Sequence, residues 1–270
     1  MYNEFYHFQE SPFNVTADPD FFFSSSRHNE AFSHLIYGIH NRKGILMVTG
    51  EIGTGKTTLC CTLLNRLDRN TKTALLLNPN FSEVQLLHLI TKDLGIPGKF
   101  KNKFELINGL NQFLLEETAR GHNVVLIIDE AQNLNIKQLE QIRLLSNLET
   151  EKEKLFQMIL VGQPELTEKL KLPELRQLNQ RISVRFHILP LDRLELRGYI
   201  EHRLKVASSN RENPRVQFND KAIDIIFEQS QGIPRMVNIL CDRALLAGYV
   251  AEAGTIDEQM INHCVQEVYA

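Results

Sequence analysis

Residues 44–57 read Gly44-Ile45-Leu46-Met47-Val48-Thr49-Gly50-Glu51-Ile52-Gly53-Thr54-Gly55-Lys56-Thr57. The first six form a short apolar, β-rich run, and the last eight match GxxxxGK[ST] without a gap. A helical pattern begins near Lys56, so the match sits in a strand–loop–helix context. Each position has a chemical reason. Glycines at 50, 53 and 55 permit backbone shapes and close approaches that a Cβ forbids. The loop N–H groups then gather at a helix N-terminus, where the dipole favours anions. Lys56 supplies a point charge for the β- and γ-phosphates, and the Thr57 hydroxyl is a ligand for Mg2+. The loop therefore predicts a nucleoside triphosphate site, most simply for ATP with Mg2+, contacted by Gly50, Glu51, Ile52, Gly53, Thr54, Gly55, Lys56, Thr57 and Thr58.

Working outward, further apolar runs lie at 124–128 and 156–161, a weaker one lies at 73–77 before Asn78-Pro79, and 183–189 reads as a fifth strand ending at Pro190. Between them, segments such as 82–94 and 103–120 space apolar residues at helical intervals. Apolar strands alternating with helices indicate a parallel sheet covered on both faces. The expected fold is thus α/β: a three-layer αβα core with a parallel five-stranded sheet. After Pro190 the character changes, and 194–208, 219–230, 234–252 and 257–269 all read as helices, with Asn219 and Asp257 as N-caps. This sets a nucleotide-binding domain at 1-190 and a small helical lid at 191-270.

The run 124–128 ends in Asp129-Glu130. A strand ending beside the phosphate loop delivers Asp129 to the metal, through water, and leaves Glu130 to polarise an attacking water as general base. Two acids there prepare water rather than a substrate hydroxyl, which argues against a small-molecule kinase. The run 156–161 ends at Gly162-Gln163-Pro164, where Gln163 is placed to orient that water or sense the γ-phosphate. Arg181, just before the fifth strand, and Arg235, opening a lid helix, offer planar forks suited to phosphate oxygens; surface solvation is the plain alternative for both.

Composition narrows the classes. An apolar fraction of 43% supports an ordinary core, and a net charge of −3 provides no overall drive toward nucleic acid or anionic membrane. Cys60, Cys61, Cys241 and Cys264 show no metal-ligand spacing, which points to buried thiols in a reducing compartment. The N-terminal segment lacks the basic-then-apolar pattern of a signal peptide, and no run of about 18 apolar residues occurs.

Taken in order, these features resemble an AAA+ ATPase. The resemblance implies Walker A at the loop, Walker B at Asp129-Glu130, sensor 1 at Gln163, an arginine finger at Arg181 and sensor 2 at Arg235. It also implies a homo-oligomer with ATP at subunit interfaces; Arg176 and Arg185 are alternative fingers. Met1-Tyr2-Asn3-Glu4-Phe5-Tyr6, Ser11-Pro12-Phe13, Asp18-Pro19-Asp20-Phe21, His28-Asn29-Glu30-Ala31, Tyr37-Gly38-Ile39, Asp129-Glu130-Ala131-Gln132 and Gly162-Gln163-Pro164-Glu165-Leu166 resemble the ExeA/GspA group of general secretion ATPases. Exosortase-associated and pilus-locus ATPases are similar. By that resemblance residues 1-30 form a strap with Pro12-Phe13 near the adenine. The protein would be cytoplasmic, at the inner membrane if it is a fragment of a longer anchored chain, and partnered by secretion or export machinery. Members of that group typically continue into a membrane helix and a peptidoglycan-binding region, whereas this sequence stops at Ala270. Two rival readings exist. One is a DNA-bound transposition regulator of the TniB/TnsC kind, with Lys99-Phe100-Lys101-Asn102-Lys103 as its DNA-contacting loop. The other is a nucleotide-dependent scaffold with negligible turnover, which Glu130 and Gln163 disfavour.

Overall fold

The computed structural model describes residues 1–77, 79, 81–150, 153–209 and 214–269. Asn78 of the turn signal after the second strand, and Ala270, lie outside them. In chain order the structure runs α1 (Tyr2–Tyr6), α2 (Ser26–His40), β1 (Ile45–Gly50), α3 (Lys56–Arg66), β2 (Thr71–Leu76), α4 (Glu83–Asp93), α5 (Lys103–Ala119), β3 (Asn123–Ile128), α6 (Ile136–Leu145), β4 (Gln157–Gly162), α7 (Pro164–Lys169), α8 (Arg176–Arg181) and β5 (Ile182–Ile188). It continues with α9 (Arg193–Ala207), β6 (Gln217–Phe218), α10 (Asp220–Ser230), α11 (Pro234–Val250), β7 (Thr255–Ile256) and α12 (Glu258–Tyr269).

The chain divides into two compact units. One comprises His28–Gly50 and Thr62–Ile188 and contains the five-stranded sheet, ordered β2-β3-β4-β1-β5 with every neighbouring pair parallel. Both central strands β1 and β4 are buried along their whole length, as their unbroken apolar runs require when helices cover both faces. Ile45, Leu126, Ile128, Met158 and Leu160 anchor its core, and burying each such side chain contributes roughly 1.5–3 kcal/mol. The edge strand β5 alternates instead, with Ser183, Arg185 and His187 exposed.

The other unit comprises Met1–Arg27, Glu51–Cys61 and Leu189–Ala270. Its core gathers Tyr6, Phe8, Phe13 and Phe21 from the N-terminal segment with Leu196, Ile200, Ile226, Leu240 and Leu245 from the C-terminal helices. The contacts thus group the first 27 residues with the C-terminal helices, where the sequence boundary set them with the strand-bearing part. Asn219 caps α10 by accepting from Ala222 N at 2.7 Å, and Asp257 accepts from Met260 N at 3.0 Å. The helical region also carries one two-residue parallel pair, β6 with β7, because Val216, Phe218 and Ile256 need burial between the helix ends. Cys60, Cys241 and Cys264 are buried and Cys61 is half-buried. Among the described residues no helix is long and apolar enough to cross a membrane.

Candidate functional site

β1 ends at Gly50 and the chain passes directly into the loop before α3 opens at Lys56. Gly53 and Gly55 have φ of +82° and +90°, in the left-handed region that only glycine enters without strain. The loop closes on the Glu51 carbonyl, which accepts from Thr54 N (3.3 Å), Thr54 Oγ1 (2.9 Å) and Lys56 Nζ (2.8 Å). Lys56 and Thr54 are buried, which holds the ammonium in the cradle rather than in solvent.

In the same unit, the start of α11 seats on this loop. Arg235 N donates to the Gly53 carbonyl at 3.2 Å, and a Cβ on Gly53 would lie 2.6 Å from Arg235 Cβ. Glycine at 53 therefore serves two ends, the left-handed turn and the approach of Arg235, whose side chain is exposed. Gly53→Ala is expected to cost about 1–2 kcal/mol for the backbone alone, lowering the melting temperature by roughly 2–8 °C in a thermal scan. An unchanged melting temperature would count against this packing.

The acidic strand end is built in the other unit. Parallel register pairs Thr49 with Gly162 and Ile128 with Leu160, so β1, β4 and β3 end along one edge of the sheet. In open α/β sheets that edge is where ligands bind. Asp129 is buried, and its Oδ1 accepts from Glu130 N at 2.9 Å. Glu130 itself sits at φ +53°, a left-handed non-glycine conformation costing about 1–3 kcal/mol and retained where the surroundings enforce it. The enforcement is visible. Glu130 Oε2 accepts from Gln132 Nε2 (2.5 Å) and from Gln163 Nε2 (3.1 Å), while Gln132 Oε1 accepts from Gln163 N (3.1 Å). Gly162 admits the Gln132 amide, since a Cβ there would lie 2.9 Å from Gln132 Oε1. Lys169 Nζ caps this turn by donating to the Leu134 carbonyl at 2.9 Å and to that of Gln132.

Glu130 and Gln163, singled out separately in the sequence, are therefore in direct contact. Gln132 is the member that sequence reasoning left without a role. Its signal was an amide, donor at one end and acceptor at the other, two residues beyond a carboxylate. Arg181 has a different environment: its Nη1 donates to Ser146 Oγ at 2.9 Å and to Asn147 Oδ1, at the end of α6. Pro12 and Phe13 lie in the N-terminal segment, where Phe13 is buried against Phe218. Buried Arg203 holds that segment by donating to the carbonyls of Pro12 (2.5 Å) and Asn14 (3.0 Å).

In the stretch offered for DNA, Phe100 packs against α5, where a Cβ on Gly109 would lie 2.6 Å from its ring. Lys103 pairs with Glu83 at 2.9 Å. Phe100 is thus partly buried against the sheet-bearing core.

Thr57 and Asp129, the metal ligands expected from the sequence, each carry an oxygen donor, the kind that suits Mg2+, whose shell is otherwise filled by water and phosphate oxygens. Among the described residues no cluster of three or more His, Cys, Asp or Glu side chains forms.

Residues 39–170 match the AAA domain family. General secretion pathway protein A of Aeromonas hydrophila is 41% identical over 99% of this chain, which spans 48% of that protein's length. The ORC2 protein of Aeropyrum pernix, solved in ADPNP–ADP complexes, superimposes with a TM-score of 0.70 at 17% identity, covering 96% of this chain and 72% of its own. Cdc6p from Pyrobaculum aerophilum gives 0.69 at 17% identity, covering 93% and 71%. The RuvB branch migration motor of Thermotoga maritima gives 0.53 at 17% identity, covering 88% and 67%. These structures establish the fold, and identity along nearly the whole chain establishes the lineage: the protein belongs to the ExeA/GspA family of AAA+ ATPases.

Proposed function

We propose that this chain binds and hydrolyses ATP and so powers or regulates the assembly of a bacterial envelope secretion, export or pilus system. The observation that carries the reading is the loop itself: two left-handed glycines closing a turn around buried Lys56 at a strand-to-helix joint. In this reading Gly50 to Thr58 cradle the triphosphate, with Lys56 on its outer phosphates. Thr57 and Asp129 hold Mg2+, which when bound neutralises charge on the phosphate oxygens. Glu130 takes a proton from the attacking water, and Gln163 orients both. Arg235 reports the γ-phosphate to the lid, because it opens a lid helix and its own N–H is bonded to the loop at Gly53.

The functional domains are then residues 1-190 and 191-270, the first carrying the N-terminal strap near the adenine. The working form is a homo-oligomer in which Arg181 acts on a neighbour's ATP. Its place is the cytoplasm, where ATP is available, in contact with export machinery at the inner membrane. The secretion pathway rests on the Aeromonas relative, of which this chain corresponds to about half.

Phosphate release from ATP, followed over time, tests the proposal. Turnover is expected with Mg2+ and is expected to vanish when EDTA removes the metal. Nucleotide bound without any phosphate release, at high protein concentration and with export components added, would instead support a scaffold.

A further inference from the structure

The unit that contains loop residues 51–61 also contains the N-terminal segment, α9 and α11. Within it, buried polar groups close a ring of hydrogen bonds. Arg203 Nη1 on α9 donates to the Tyr199 hydroxyl (2.9 Å), and that hydroxyl donates to Asn238 Oδ1 on α11 (2.7 Å). Asn238 Nδ2 donates to the Asn14 carbonyl (3.1 Å), which also accepts from Arg203 Nη2 (3.0 Å). The direction of each bond is fixed, because a guanidinium only donates and a carbonyl only accepts. Tyr199, Arg203 and Asn238 are all buried, and Arg203 lies over the Phe21 ring at 4.8 Å. Burial pushes the Tyr199 phenol above its ordinary value, so the proton bonded to Asn238 stays in place. Such a ring is costly to break, since its members would be left unpaired away from water.

Asn238 stands three residues beyond Arg235, about 4.5 Å along α11. The helix lacks a cap of its own there: Ile233 provides no side-chain bond, and Pro234 carries no N–H. The first donor, Arg235 N, is satisfied instead by the Gly53 carbonyl at 3.2 Å. A trans peptide is planar, so holding that carbonyl also holds the Thr54 N–H, which donates to the Glu51 carbonyl at 3.3 Å. We infer that Asn238 is a positioning residue for the phosphate loop: by tying α11 to the Asn14 carbonyl, it sets the seat of α11 on Gly53 and keeps the loop in shape for phosphate. A cradle shaped beforehand binds more tightly than one ordered on binding. By reciprocity, a filled loop tightens the hold on the N-terminal segment. The ligand is the ATP of the proposed function, on which this role rests; the seat of α11 exists without it.

Asn238→Asp is the direct test. The change is isosteric, keeps the acceptor for Tyr199 and removes only the donor to Asn14, whose carbonyl retains Arg203. In the nucleotide-free chain, hydrogen exchange at the Arg235 amide is expected to rise about fivefold or more. ATP affinity is expected to fall about five- to tenfold. Turnover at saturating ATP is expected to stay unchanged, because Glu130 and Gln163 keep their contact in the other unit. ATP is expected to slow exchange at Phe13, Asn14 and Val15 in the parent chain and not in the variant. Asn238→Leu, similar in size and lacking both bonds, is expected to give the same changes should a buried charge unfold Asn238→Asp. Ile226→Val, a buried change in the same core on α10, is expected to lower the melting temperature without any of these effects. Parental exchange at Arg235 in the Asn238 variants overturns the inference, as does parental ATP affinity, or an equal loss of affinity in Ile226→Val. A parent chain that binds no ATP, while Arg235 exchange still responds to the Asn238 changes, would sink the ATPase reading alone.

Discussion

Glu130→Gln is expected to leave ATP affinity near that of the parent chain while lowering turnover by about 10²–10⁴-fold, the usual contribution of a positioned general base. The substitution is nearly isosteric, and its local cost is small for a stated reason. Glu130 Oε2 accepts from the amides of Gln132 and Gln163, and a glutamine at 130 can turn its carbonyl oxygen toward both donors. The left-handed backbone at 130 is then held as before. What is lost is the carboxylate's ability to take a proton. Phosphate release measured beside nucleotide binding separates the two effects, since loss of binding in parallel with turnover would point to collapse of the turn. Full turnover in this variant would show that Glu130 is not the base.

Lys56→Ala is expected to weaken ATP binding at least about 100-fold, read from titration with a fluorescent ATP analogue. Charge-assisted hydrogen bonds to phosphate contribute about 1.5–3 kcal/mol each, and every 1.4 kcal/mol is tenfold in affinity. The loop is expected to keep its shape, because the Glu51 carbonyl that accepts from Lys56 Nζ also accepts from Thr54 N and Oγ1. A folded variant by circular dichroism that still bound ATP at parental affinity would remove Lys56 from the site. The two variants thus divide binding from chemistry: one loses affinity, the other loses rate.

Much of the architecture was legible along the chain. The five expected runs became five strands within a residue or two of their expected ends. For β1, β3 and β4 the reason is that a strand buried on both faces has no polar side to interrupt it. The C-terminal helices were equally clear, since Asn219 and Asp257 announce their caps by side-chain chemistry that acts within three residues. The N-terminal segment was harder. Tyr6, Phe8, Phe13 and Phe21 are spaced too irregularly to signal any element, and only partners over 180 residues away in sequence, such as Arg203 on Pro12, give them a place.

The candidate site divides the same way. Gly50 to Thr57 and Asp129-Glu130 could be read directly, because their chemistry depends on residue type at short fixed spacing. That Gln132 and Gln163 jointly hold Glu130 could not, since their contact depends on β3 and β4 being neighbours and on Gly162 lacking a side chain. Nor could local sequence choose among Arg176, Arg181 and Arg185, which look alike as isolated arginines. Packing turned Arg181 onto Ser146 and Asn147 and left the other two along an open groove. By itself, then, the sequence determined the strands, the helix caps and the phosphate loop, all set by local backbone preference and periodicity. The tertiary structure alone decided which side chains share a proton acceptor and which partners each arginine meets, because those properties exist only where distant segments meet.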